Sequence, residues 1–210
     1  MSIWIILFIA LVVAYFVITE GAKKYFDIKV QVLFTAGMYQ QCIDLLDRKL
    51  ARIVMSTFKQ YYLRFTIYEA DNNVMAAERM LEHLLNMSCG KKQRLQLVAR
   101  AFNFYVMAGH RKQAAAMLEE MRTTAPKELV VDSQLTYDIV FCHRHDKIKE
   151  MEAMLGTDDP NLRAKLYMLL AYQHASAGHK EDARRYRALG KKLKESQMPP
   201  KPKAQQDNHN

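Results

Sequence analysis

A chain of 210 residues, 50% of them apolar and carrying a formal charge of +9, is too hydrophobic to be disordered throughout. Only seven glycines and five prolines leave few tight turns for a β-rich fold, so helix is favoured before any pattern is counted. The basic balance points to anionic partners, a lipid surface or nucleic acid.

The first element is the stretch Ile3–Ile18, IWIILFIALVVAYFVI, which carries no charge. As a helix it reaches roughly 24 Å at about 1.5 Å per residue. With Ser2 and Thr19 it approaches the ~30 Å of a bilayer hydrocarbon core. Trp4 and Tyr15 stand near its ends, and Lys23, Lys24 and Lys29 follow it. The basic flank predicts a single-pass anchor over residues 1–22, with the N-terminus outside and the remainder cytoplasmic, at a bacterial plasma membrane. A cleaved signal peptide would place basic residues before the apolar run and an A-x-A pattern after it, and neither is present. A buried helix of a soluble fold would keep a polar stripe, which this run lacks.

Cys42, Cys89 and Cys142 are odd in number and far apart, which suits a reducing compartment and gives no disulfide framework. Cys42 and Cys142 sit among apolar positions and are expected to be buried. Cys89 stands in the turn-like Ser88-Cys89-Gly90 and is the one open to solvent.

From Tyr25 onward, amphipathic runs alternate with short polar breaks. Placing a turn at Gly37, Asn72, Gly109, Asp146 and Gly178 gives separations of 35, 37, 37 and 32 residues by subtraction of the residue numbers. Five residues after each turn stand Cys42, Ala77, Ala114, Met151 and Ala183, and nine after it Leu46, Leu81, Leu118, Leu155 and Arg187. Four before it stand Leu33, Tyr68, Tyr105, Cys142 and His174, and seven before it Val30, Phe65, Phe102, Ile139 and Ala171. Residues three apart share a helical face, and small residues let two helices approach closely.

This pattern resembles the tetratricopeptide repeat, a ~34-residue helix–turn–helix. The third copy carries it best, through Phe102, Tyr105, Gly109, Ala114, Leu118 and Pro126, and the second through Tyr61, Phe65, Tyr68, Ala77 and Leu81. The outer copies depart: Cys42 and Met151 replace the alanine, the fourth lacks a turn glycine, and the fifth has Lys180 and Arg187 at apolar positions. The resemblance covers roughly Tyr25–Leu193. It implies an all-α fold, a right-handed α-solenoid of about five helix–turn–helix repeats after one N-terminal transmembrane helix, with the repeat domain over 23–195. The remaining SQMPPKPKAQQDNHN, 196–210, has three prolines and no apolar periodicity, and reads as a disordered basic and polar tail.

No Gly-rich phosphate loop, nucleophile elbow, H-E-x-x-H or paired-cysteine spacing occurs, so neither an enzymatic activity nor a cofactor is expected. Cys142-His143-Arg144-His145-Asp146 gathers metal-ligand types, but neighbours at a helix end point apart and no second ligand group follows at a usual spacing, so no metal is expected there. Cys142 would instead pack inside, with the others forming a polar break. His174, on an apolar face, is expected to be hydrogen-bonded and partly buried. Met75, Met80, Met117, Met121, Met151, Met154 and Met168 read as core fillers.

Function in such a fold comes from a surface, and the resemblance implies protein or peptide binding on the concave side, lined by the first helix of each pair. Candidate partner-binding residues are Tyr62 and Thr66 in the second pair, Gln96, Arg100 and Asn103 in the third, Thr136 and Tyr137 in the fourth, and Lys165 and Tyr172 in the fifth. Rings with interspersed amide and guanidinium groups suit an extended peptide. The expectation is a membrane-anchored cytoplasmic scaffold or adaptor, with its basic residues able to touch anionic lipid. The rival is RNA binding: AGHRKQAAAMLEEM followed by VVDSQLTYDIVF is similar to the pentatricopeptide pattern. Unequal module lengths and the anchor speak against that reading.

Overall fold

The computed structural model describes residues 3–197, and the tail from 198 onward lies outside them. Among the described residues there are eleven α-helices and no strand. Two compact units divide the chain, one up to Met87 and one from Ser88. The first holds α1 (Ile3–Thr35), α2 (Tyr39–Asp47), α3 (Lys49–Val54), α4 (Thr57–Ala70) and α5 (Val74–Leu85). The second holds α6 (Lys91–Ala108), α7 (Arg111–Thr124), α8 (Lys127–Phe141), α9 (Ile148–Ala153), α10 (Pro160–Ser176) and α11 (Lys180–Gln197).

α1 is long and apolar enough to cross a membrane, with a mean hydropathy of 2.5 over its most apolar window and none of that window buried. It does not stop at residue 22. All 33 residues form one helix, about 50 Å long at 1.5 Å per residue. A single glycine costs a helix only about 1 kcal/mol, and Gly21 is spanned without a break. The Thr19 hydroxyl donates back to the Tyr15 carbonyl at 2.8 Å, and Lys23 pairs with Glu20 at 2.6 Å. The C-terminal part of α1 is therefore also the first helix of the first pair. Its Phe26 and Val30 pack with Cys42, Leu45 and Leu46 of α2 and Ile67 of α4.

Short caps set the later starts. The Ser56 side chain accepts from the Lys59 amide at α4, Asn73 from Ala76 at α5, and Asp159 from Asn161 at α10, where Pro160 takes the first helical position. Four pairs close on a left-handed residue: Gly37 (φ 71°), Asn72 (φ 57°), Gly109 (φ 76°) and Gly178 (φ 84°). In each the next amide reaches the carbonyl five residues back, Met38 to Leu33, Asn73 to Tyr68, His110 to Tyr105 and His179 to His174, at 2.8–2.9 Å. These are Schellman closures, and the second helix begins two residues after the left-handed one.

The fourth pair corrects the expected register. Its left-handed residue is His143 (φ 58°), three positions before Asp146, and the Arg144 amide reaches six residues back to Asp138 at 3.1 Å. Counting from His143, the separations become 35, 37, 34 and 35. Arg144, His145 and Asp146 are extra residues between the turn and α9, tied by a guanidinium–carboxylate pair at 2.6 Å. This pair holds the Asp146 carboxyl down at about 2.

The corrected register explains the burial. Seven before the left-handed residue stand Val30, Phe65, Phe102, Thr136 and Ala171, and five after it in the regular pairs stand Cys42, Ala77, Ala114 and Ala183, all buried. Cys142 does not pack inside. It caps α8 and is exposed, because the core position falls on Ile139 instead. Leu155, expected on a helix, lies in the 3-10 turn Met154–Gly156 that ends the short α9. Met121 and Met151 are core residues, whereas Met75 and Met154 are exposed.

Candidate functional site

The first helix of each pair carries the candidate binding face. Six residues before the left-handed residue stand Gln31, Thr66, Asn103, Tyr137 and Tyr172, one per pair, by subtraction from 37, 72, 109, 143 and 178. None of the five is buried. Their neighbours one position before and two after, such as Phe102 and Tyr105 in the third pair, are buried in the core. The offset therefore selects the face of the first helix turned away from its own pair.

In the first unit this face is a groove between α1 and α4. A cavity of about 340 Å³ is lined by Val30, Gln31 and Phe34 from one side and Leu63, Thr66 and Ile67 from the other. Lys59 and Asp27 pair across it at 2.6 Å. Tyr62 lies just outside, 37% exposed, stacked on Phe58 with ring centroids 6.2 Å apart.

In the second unit Gln96, Arg100 and Asn103 are exposed on α6. Tyr137 is half-buried on α8, where its hydroxyl accepts from Arg111 Nε at 3.4 Å. Lys165 of α10 is ion-paired with Asp132 of α8. Tyr172 is 37% exposed on the same helix. Thr136 is not part of the face: it is 3% exposed and its hydroxyl donates to the Asp132 carbonyl within α8. The three-residue slip in the fourth pair carried it from a core position to an apparent surface one.

Several basic side chains on the first helices are already paired inside their units. Besides Lys59 and Lys165, Arg64 meets Asp47 at 3.0 Å, and Arg94 grips both carboxylate oxygens of Glu120 at 2.6 and 2.8 Å. The Arg94 hydrogen bonds hold the Glu120 carboxyl below its usual value against the opposing effect of burial. Burial raises the Cys42 thiol, which donates to the Val30 carbonyl at 3.7 Å, so it is a packing residue rather than a nucleophile.

His174 is buried, 6% exposed, and its Nδ1 faces His179 Nδ1 at 3.4 Å. Gln173 beside it is fully buried: its carbonyl accepts from the Lys147 amide at 2.9 Å and its amide nitrogen meets Met151 Sδ at 3.1 Å, fixing the start of α9. Reading by residue type passed over Gln31, Gln173 and His179. The signal for Gln31 was its offset from a turn, and for His179 its place immediately after one. No protein-family model, no curated protein and no solved structure matches this chain.

Proposed function

We propose that the chain is a membrane-anchored, cytoplasmic scaffold of the tetratricopeptide type, with its helical pairs stacked as a right-handed solenoid and a protein partner held in extended form along the first helices. The recurrence of an unburied residue six positions before each left-handed turn carries the reading. Amides at Gln31 and Asn103, a hydroxyl at Thr66 and rings at Tyr137 and Tyr172 offer backbone hydrogen bonding beside apolar contact, which is what an unstructured peptide needs. Pairing of Lys59, Arg64, Arg94 and Lys165 with carboxylates favours peptide over RNA, because a phosphate backbone would have to compete for those cations.

Continuity of α1 gives the anchor a mechanical role. Phe26, a core residue, follows Ile18 by eight positions on one helix, about 12 Å of rise. A partner would thus be gathered close to the bilayer, which raises its effective concentration for anything else held there.

A photo-crosslinking residue placed at Asn103 or Tyr172 in the full chain in cells should capture a defined protein set, and one placed at Glu119 on the second helix α7 should not. Capture should weaken when Tyr62 and Arg100 are replaced by Ala, with helicity unchanged. Equal capture from Glu119 would remove the first-helix face from the mechanism, and nuclease-sensitive capture would favour RNA.

A further inference from the structure

The last hairpin brings together three metal-ligand side chains from nine consecutive residues, His174 to Asp182. His174 comes from the final turns of α10, His179 follows Gly178, and Asp182 stands in the first turn of α11. One ligand atom from each lies within 4.8 Å of the others. His174 Nδ1 is 3.4 Å from His179 Nδ1 and 3.9 Å from Asp182 Oδ2. Two nitrogens bound at about 2.0–2.1 Å to one tetrahedral metal stand about 3.4 Å apart, so the histidine pair already has the required edge. The Asp182 side chain is 50% exposed, so its carboxylate, 3.9 Å from His174 Nδ1, is able to rotate toward both rings.

A second observation comes from the other ring nitrogen. His174 Nε2 is buried and makes no hydrogen bond, and Glu152 Oε1 stands 3.4 Å from it. Glu152 is itself held by the Tyr186 hydroxyl at 2.8 Å, and the Tyr186 ring stacks on His174 with centroids 5.3 Å apart. A metal on Nδ1 would place the imidazole proton on Nε2, facing this carboxylate. That is the outer partner a metal-bound histidine ordinarily has. The hairpin backbone is also fixed in advance, through the His179 amide on the His174 carbonyl at 2.8 Å and left-handed Gly178.

We propose that His174 Nδ1, His179 Nδ1 and the Asp182 carboxylate form a three-ligand site for a divalent first-row cation, zinc foremost, with Glu152 orienting His174. Two imidazoles and one carboxylate are the donor set such ions select. The fourth position is left to water. The bound ion clasps α10 to α11 at the end of the described chain. This departs from the expectation, drawn from the sequence, that no metal is held.

The full chain in detergent micelles, stripped with chelator, is titrated with zinc by calorimetry and with cobalt by visible absorption. One equivalent should bind, with ligand-field bands of a four-coordinate cobalt, and zinc should raise the melting temperature. His179→Gln and Asp182→Asn, both at exposed positions, should each weaken zinc binding at least tenfold while circular dichroism is unchanged. Glu152→Gln should weaken it by roughly 10- to 100-fold. A double variant His143→Gln, His145→Gln in the fourth turn should bind as the parent does. Absence of saturable uptake, or equal uptake by the parent and H179Q, overturns the site and leaves a proton-sharing histidine pair in its place.

Discussion

The third and fourth hairpins belong to the same unit and join the same kind of helical pair, yet only the third closes in the regular way. Gly109 adopts a left-handed conformation at no steric cost, the His110 amide caps the Tyr105 carbonyl, and α7 starts at once and runs for 14 residues. At the corresponding point of the fourth hairpin stands His143, whose side chain makes the same conformation costly. Four residues follow before α9, three more than in the regular hairpins, and α9 lasts only 6 residues. The core position filled by Phe102 in one is filled by Thr136 in the other. A repeat can thus keep its burial pattern while its turn drifts, provided other groups close the gap. Here those groups are the Arg144–Asp146 pair and the Gln173 side chain on the Lys147 amide.

Core truncation should separate the two hairpins most widely. Phe102→Ala removes a ring that is 2% exposed and should cost about 3–5 kcal/mol, whereas Thr136→Ala should cost about 1 kcal/mol, both read from urea unfolding of the full chain in detergent. Equal losses would mean that the fourth pair carries as much of the core as the third.

Turn exchanges come next and should have opposite signs. Gly109→Ala should destabilise by about 1 kcal/mol or somewhat more, because an alanine Cβ is strained at φ 76° although no neighbouring atom blocks it. His143→Gly should stabilise by roughly 0.5–1 kcal/mol by relieving the same strain. If His143→Gly destabilised, the histidine side chain would be shown to hold the irregular turn.

Acidification is the smallest lever. The folded carboxyl of Glu120 lies below its ordinary value because Arg94 hydrogen-bonds it. Its contribution is therefore present above the unfolded value of about 4.3 and is lost as pH falls through the folded value. Protection of the amides in α6 and α7 should fall on going from pH 5 to pH 3, so that their exchange slows less than the intrinsic rate does, and Glu120→Gln should abolish that loss of protection. Asp146, whose pair with Arg144 is screened by solvent in the exposed fourth turn, should give no comparable signature when changed to Asn.

How much of this was legible beforehand differs by residue. Ala77, Ala114 and Leu81 could be placed in the core from spacing alone, because helical periodicity is a local property that burial simply follows. Tyr62, Arg100 and Asn103 were likewise found unburied where helix phase put them. Cys142 and Thr136 were misplaced because Asp146 looks like a turn residue by type, while the left-handed conformation fell on His143, three positions earlier.

The sequence by itself determined the apolar helix at the start, the all-helical character and four of the five turns, since each rests on interactions within a few residues of chain. Tertiary structure alone decided the uninterrupted course of α1 into the first pair, the slip in the fourth hairpin and the approach of Glu152 to His174. These depend on which helix packs against which: Phe26 buried against α2 gives the helix a reason to continue, and a side chain from α9 reaches a histidine on α10. Contacts between residues some twenty positions apart carry no trace in local composition, and only the folded chain brings them within bonding distance.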